Sequence, residues 1–462
     1  MNPELQQRMT REQRHRLLHG YPMAPLMEPA PERPLPSPGR ASAIVGVLPH
    51  PFCNPRVRGC GFCTFPHETF SNASARRVTG AVCREIYRQS DRLSDVRVPA
   101  VYIGGGTANL TPPDAFGSLC DALSETFDLA DAEVTLEGVP AYFLLHESKL
   151  LHLMIEALRV RQRRISMGIQ TFDSTWLKRM GRQAFGTRST VADVVRTAHH
   201  LGFTTSGDLL MNLPGQTLPE ILEDIRIADG LGLDQICVYH LVLYEGLGTE
   251  WSKDPELLAK RVDNNEALRR WLVVREALLE RGFVQTTLTN FERREVNESP
   301  ERFIYEEHSF APWRHQAVGF GPGAISTVRR HRRELLKWIH PDSAADYLAS
   351  VDEGGPYTGR AFSYREPEDE MLLFLTRGLS RGHVRLTELP LSPSVEQLAS
   401  LEACKAAGLL TMSDDTLRLT PRGMFYADAV TGLLAASRAR ALTSGRPRRH
   451  LRVNDSRGAR MG

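Results

Sequence analysis

Three cysteines, Cys53, Cys60 and Cys63, fall within eleven residues of the run LPHPFCNPRVRGCGFCTFPHETF. The other four of the seven, Cys83, Cys120, Cys237 and Cys404, stand alone in apolar or helical surroundings and read as buried free thiols. In a chain of 462 residues whose opening, MNPELQQRMTREQRHRLLHG, lacks the apolar core of a secretory signal, a disulfide framework is not expected. The cluster of three therefore reads as a metal-ligand set. Three thiolates can bind three irons of a cubane cluster and leave the fourth iron open to an exchangeable ligand. Cys60-x2-Cys63 is equally a zinc-knuckle spacing, and Cys53 with His67 would complete a Cys3His set. Spacing alone leaves both open. Gly59 and Gly61 allow a tight turn around a bulky cofactor, and Phe62 can shield one of its faces.

A second group of residues suits a small organic ligand. Gly104-Gly105-Gly106-Thr107 offers exposed backbone groups to the amino and carboxylate ends of a ligand, although a plain tight turn would look the same. Glu137, Gln170 and Asp208 recur at or near the ends of successive apolar runs. A carboxylate there suits ribose hydroxyls, and Arg182 can pair with a ligand carboxylate. A structural zinc needs no such site beside it, so the pairing of the two groups favours the iron–sulfur reading.

The elements that must position these residues alternate. Strand patterns are AIVGVLP, VPAVYIGG, AEVTLEG, RISMGIQ, TTSGDLLMNL and DQICVYHLVLY. Between them, VTGAVCREIYRQ, DAFGSLCDALSETF, FLLHESKLLHLMIEALRVR, TVADVVRTAHHLG and PEILEDIRIADGLG carry apolar residues at helical spacing. Such βα succession forces parallel strands with right-handed crossovers. The expected fold class is α/β, a partial (β/α)6 barrel with the candidate residues gathered at the C-terminal ends of its strands. A doubly wound open sheet is the alternative.

Residues 1–42 read as a partly disordered arm, 43–300 as the barrel and 301–365 as a closing and connecting segment. Residues 366–436 read as a small helical, winged-helix-like domain with the hairpin LLTMSDDTLRLT, and 437–462 as a disordered basic tail. With 57 Lys and Arg against 55 Asp and Glu the net charge is +2, which gives no reason to expect nucleic acid or a membrane surface as partner. The C-terminal domain mixes both signs and shows no basic recognition face. No apolar run is long enough to span a bilayer, and the expected location is cytoplasmic.

Taken together, PFC followed by CGFC, YIGGGTANL, EVTLEGVP, RISMGIQTFDSTWLKRMGR, GDLLMNLPGQT and GFGPGAIS resemble the radical S-adenosylmethionine (SAM) group related to oxygen-independent coproporphyrinogen III oxidase. The resemblance spans residues 43 to 330 and continues into LRLTPRG. It implies a 4Fe–4S cluster that reductively cleaves SAM to methionine and a 5′-deoxyadenosyl radical, with Cys53, Cys60 and Cys63 as cluster ligands. By the same likeness Gly104, Gly105 and Gly106 hold the methionyl part of SAM, and Thr107, Glu137, Gln170, Arg182 and Asp208 belong to the SAM site. Gly319-Phe320-Gly321-Pro322-Gly323 matches a closing segment. Two departures stand out. The group's usual spacing is C-x3-C-x2-C, whereas six residues separate Cys53 from Cys60, and Thr64 and Phe65 follow Cys63 where the true coproporphyrinogen oxidases carry a further cysteine.

HGYPMAPL resembles the Tyr-Pro segment of the class C radical SAM methyltransferases, which would set Tyr21 over the active site as a catalytic residue. From this likeness the expected activity is a class C-like C-methyltransferase or C–C bond-forming enzyme of secondary metabolism. One or two SAM molecules, a small-molecule substrate and a reductant such as flavodoxin or ferredoxin would serve it. The alternatives on the same scaffold are a coproporphyrinogen oxidase-like porphyrin enzyme and a haem chaperone.

Overall fold

The structure is a computed structural model. It describes residues 2–13, 21–30, 41–53, 60–65, 67–330, 334–351, 358–389 and 391–444. The six positions between Cys53 and Cys60, part of the N-terminal arm and the basic tail beyond Ser444 lie outside the described residues.

All six expected strands form. They are β1 (Ser42–Val47), β2 (Ala100–Ile103), β3 (Glu133–Gly138), β4 (Gln162–Gln170), β5 (Phe203–Met211) and β6 (Gln235–His240). Their order in the sheet is their order in the chain, each parallel to the next. A doubly wound sheet would reverse order at a switch point. This one never does, as a curling barrel requires.

Five crossover helices cover the outer face: α1 (Asn72–Arg88), α2 (Pro113–Thr126), α3 (Lys149–Ala157), α4 (Arg188–His200) and α5 (Leu218–Gly230). Their starts follow local chemistry. The Ser71 hydroxyl accepts from the Ser74 N–H ahead of α1, and Thr217 with Glu220 forms a reciprocal capping box on α5. The third crossover departs from the expected single helix. His146, Glu147 and Ser148 adopt positive φ, which splits FLLHESKLLHLMIEALRVR into the 3-10 turn Pro140–Leu144 and α3.

Further strands extend the sheet on both sides. The long α6 (Asn264–Glu280) leads to β7 (Phe283–Gln285) and β8 (Asn290–Arg293), and β8 runs antiparallel to β6. The stretch expected as a connecting segment instead supplies β9 (His315–Phe320), parallel to β1, and an antiparallel run of β10 (Ile325–Arg330), β11 (Glu334–Ile339) and β12 (Arg360–Tyr364). The physical reason is that β1 would otherwise leave an unpaired edge, which β9 fills. With the short strand Glu28–Pro29 beside β12, thirteen strands of the described residues join in one sheet.

The C-terminal domain forms largely as expected. It contains α7 (Pro367–Gly378), β13 (His383–Arg385), α8 (Val395–Ala406), the hairpin β14 (Leu410–Ser413) and β15 (Thr416–Leu419), and α9 (Ala427–Leu434). Two segments expected as poorly ordered are helical. Pro3–Thr10 buries Leu5 and Met9 and packs against α9, while Ala436–Ser444 continues past the expected domain limit. Charge fastens both: Arg438 forks the carboxylate of Asp369 at 2.9 Å through each nitrogen, and Arg440 meets Glu4 at 3.1 Å. Among the described residues no helix is long and apolar enough to cross a membrane.

Candidate active site

β1 runs out into the cysteine segment. Phe52 and Cys53 form a short parallel pair with Glu68–Thr69, and Thr107 N–H donates to the Phe52 carbonyl at 3.0 Å. The GGGT turn therefore leans directly on the cysteine strand. Gly106 shows how closely: a Cβ there would lie 2.7 Å from the Phe52 carbonyl oxygen and 2.9 Å from that of His50, at a φ of +50°. Only glycine fits that approach.

Cys53, Cys60 and Cys63 line one cavity of about 300 Å³ together with Gly105, Gly106, Thr107, Glu137, Gln170 and Arg182. Burial pushes the Cys53 thiol up to about 12, and the neighbouring Cys63 and Cys60 sulfurs add to this against a Thr107 hydrogen bond and Arg182. Loading a metal group here must therefore displace a proton. Phe65 N–H donates to Cys63 Sγ at 3.4 Å and Arg182 Nη1 to Cys60 Sγ at 3.3 Å, so two donors already face the sulfurs. Among the described residues no three His, Cys, Asp or Glu side chains converge on a single-ion position. His67 lines the same cavity, but its ring nitrogen meets the Phe65 carbonyl at 3.1 Å. Thiolates spread around a cavity suit a multi-iron cluster, in which each iron takes its own sulfur, better than one tetrahedral zinc.

The ligand groups expected from the sequence divide between two spaces. Glu137 is half-buried on β3 and accepts from Tyr102 and the Gly105 N–H; desolvation raises its carboxyl despite those bonds. Gln170 ends β4 at a bulge between Gly168 and Gln170 with φ of +73°, a device that re-aims a side chain. Arg182 is 8% exposed, also donates to the Gly168 carbonyl, and leaves its Nε buried without a partner. Gly104 stands behind Glu137 and is not on the cavity wall.

Asp208 does not share the cysteine cavity. It lies in an adjoining chamber of about 250 Å³ inside the barrel, with Arg164, Ser166, Cys237 and Tyr239, and the two spaces have Tyr102, Glu137 and Gln170 in common. Its position on β5, near the middle of the strand rather than at its end, sets it below the mouth.

Burial pushes the Asp208 carboxyl up to about 7. The Glu137 and Glu306 carboxylates add to this, against Arg164 and a Cys237 hydrogen bond. The ordinary value of an unfolded Asp is near 4, so between about pH 4 and 7 the folded chain holds the extra proton. That contribution to stability is greatest at low pH and is lost as pH rises through about 7. Asp208→Asn should therefore be more stable than the parent at pH 8 and equal to it near pH 4, as urea unfolding at the two pH values will show.

Tyr21 lines neither cavity. Its hydroxyl donates to Asp369 at 2.6 Å, its carbonyl accepts from the Tyr364 hydroxyl at 2.6 Å, and it is buried. The expectation that it overlies the site is thus corrected: the Tyr-Pro segment fastens the arm to α7 and β12. Tyr21→Phe should cost about 1 kcal/mol of unfolding free energy, since Arg438 still satisfies Asp369, and should leave SAM affinity as it was. A large loss of affinity with an unchanged denaturation midpoint would contradict that placement. The Gly319–Gly323 turn also lies behind the site, with Gly321 against the Leu48 backbone whose side chain supports Gly105.

Sequence reasoning passed over the aromatic walls, Tyr102, Tyr142, Phe185 and Tyr305, and the charge beneath them. Arg164 is 1% exposed, forks Glu306 at 2.9 and 3.0 Å, donates to Gln235 at 2.9 Å and lies 3.5 Å from Glu133. Strand parity carried the signal. Arg164 and Ser166 share one face of β4, and Cys237 and Tyr239 one face of β6, as the period of two requires.

Residues 47–228 match the family described as the Radical SAM superfamily. Heme chaperone HemW of Mycobacterium tuberculosis is 28% identical over 84% of this chain and 94% of its own. Anaerobilin synthase of Escherichia coli O157:H7 is 26% identical over 82% and 81%. Radical S-adenosyl methionine domain-containing protein 1, mitochondrial, of Bos taurus is 28% identical over 87% and 88%. Among solved structures, coproporphyrinogen III oxidase (HemN) from Escherichia coli superposes with a TM-score of 0.70 at 18% identity, over 86% of this chain and 90% of that one. Residues 47–228 thus carry the likeness to the Radical SAM superfamily, and the chain shares the fold of coproporphyrinogen III oxidase.

Proposed function

We propose that this radical SAM enzyme acts on a tetrapyrrole, using a cluster held by Cys53, Cys60 and Cys63. The observation that carries the reading is the single cavity walled by the three cysteines on one side and by Gly105, Gly106, Glu137, Gln170 and Arg182 on the other. When bound, a 4Fe–4S cluster and SAM supply one-electron reduction and a carbon-centred radical. The chain supplies the rest. The glycine turn gives backbone donors and acceptors, Glu137 and Asp208 accept from ammonium and hydroxyl groups, and the buried, unpartnered Nε of Arg182 awaits an acceptor. The aromatic walls exclude water. The volume suits one ligand of nucleoside size, so a substrate as broad as a tetrapyrrole is presented at the mouth.

The comparisons favour this reading over the class C methyltransferase expected from HGYPMAPL. The full-length relatives include a heme chaperone and anaerobilin synthase, and the shared fold is that of coproporphyrinogen III oxidase. Tyr21, which supported the class C reading, lines neither cavity. A haem chaperone is the second reading, favoured by a match that covers nearly the whole of HemW. The anaerobically reconstituted, reduced chain should be given SAM with coproporphyrinogen III or haem. Formation of 5′-deoxyadenosine with a mass change in the tetrapyrrole supports the enzyme. Tight haem binding with no tetrapyrrole change supports the chaperone, and neither binding nor turnover rules out both.

A further inference from the structure

The wide spacing between Cys53 and Cys60 raises a problem that the fold answers elsewhere. In a short C-x3-C loop the chain itself holds the first and second cysteines near each other. With six intervening residues that restraint weakens, because a longer loop admits more conformations. The half-loop Cys60–Cys63 then needs an anchor of its own.

Trp251 meets that need from the loop after β6. Its indole lies so close to Gly61 that a Cβ there would stand 2.0 Å from Nε1 and 2.3 Å from Cδ1, and Gly61 has a φ of +73°. The Trp251 N–H donates to the Gly61 carbonyl at 2.9 Å. Phe62, the next residue, sets its ring 5.5 Å from the Trp251 ring, and Trp176 also packs against that ring at 5.5 Å. Trp251 is itself fixed, 4% exposed, in an apolar cluster with Met180, Leu210, Leu241 and Leu257. The two residues between Cys60 and Cys63 are thus held by a backbone hydrogen bond and by shape and ring contact to one side chain.

We propose that Trp251 is a positioning residue that locks Gly61 and Phe62 and so fixes Cys60 and Cys63 relative to Cys53. This rests on the reading of the three cysteines as cluster ligands. Its role is to hold the cluster in place, with no part in the chemistry.

The test compares Trp251→Ala, Trp251→Phe, Gly61→Ala and the double variant Gly61→Ala/Trp251→Ala with the parent full-length chain. Each is reconstituted anaerobically and read for iron and sulfide per chain, rate of cluster loss to a chelator, and melting of the apo form. Trp251→Ala should lose its cluster about tenfold faster, a coupling of the size that touching residues show, when read well below the apo melting point, which loss of a buried indole will lower. Trp251→Phe should fall between the two. Gly61→Ala should be severe alone and milder once the indole is removed, since only the φ cost then remains. This comparison also serves if Trp251→Ala alone folds poorly. A folded Trp251→Ala that keeps its cluster as long as the parent overturns the proposal, as does a Gly61→Ala penalty that is the same with and without the indole. A parent chain that takes up no iron–sulfur cluster overturns the cysteine reading and the lock with it.

Discussion

Replacing Cys53, Cys60 or Cys63 singly by serine should reduce SAM cleavage at least about a thousandfold, as removal of one member of a catalytic unit does. Three protein sulfurs face the cavity, and the fourth iron of a cubane must stay open for an exchangeable ligand. No sulfur is spare, since Cys83, Cys120, Cys237 and Cys404 are all buried elsewhere. Serine is a poor substitute because its hydroxyl stays protonated where a thiolate ligand is required. The three variants should fail alike, with bleached visible absorption and an apo melting point near the parent's. Full activity in any one of them would remove that cysteine from the cluster, whereas Cys83→Ser should retain its iron.

Arg164→Met should cost about 3–5 kcal/mol of unfolding free energy at neutral pH, the range for breaking a buried ion pair from one side. The guanidinium is the nearest cation to Glu133 and to Glu306 inside the barrel. Without it two carboxylates stay buried together. Burial already raises the Glu133 carboxyl, with Arg164 opposing it. Loss of the arginine should raise it further, so the destabilisation should shrink at low pH, where the carboxyls take up protons. Glu133→Gln in the same chain should recover part of the loss at neutral pH, a result that lost packing alone would not produce. Urea unfolding at pH 5 and pH 8 measures both effects, and a cost below about 1 kcal/mol at neutral pH would mean that the pair contributes little.

These two variants also mark what the sequence makes legible. The cysteines could be found because metal ligands cluster along the chain, and the six strands because their apolar runs are separated by helical periodicity. Arg164 could not be found that way. It opens the run RISMGIQ, where a charged residue reads as a solvent-facing strand end, and its partner Glu306 lies 142 residues further on. Burial of charge is decided by a contact that no local window contains. The same limit explains β9, whose HQAVGF run joins the sheet only because β1 offers it a parallel edge. It explains Tyr21 as well. A phenol suits a cavity wall and a buried tether equally, and the choice fell to Asp369, 348 residues away. Asp208 was legible as a barrel residue by its strand but not by its depth, which depends on how far β5 rises beside β4.

The most direct test of the central claim is the product of SAM in the reduced, anaerobically reconstituted chain, measured beside the Mössbauer spectrum of its iron. The expected result is a 4Fe–4S cluster, together with 5′-deoxyadenosine and methionine in equal amounts, both lost in Cys53→Ser. One zinc per chain in place of iron and sulfide, or a cluster beside which SAM stays intact, would contradict it.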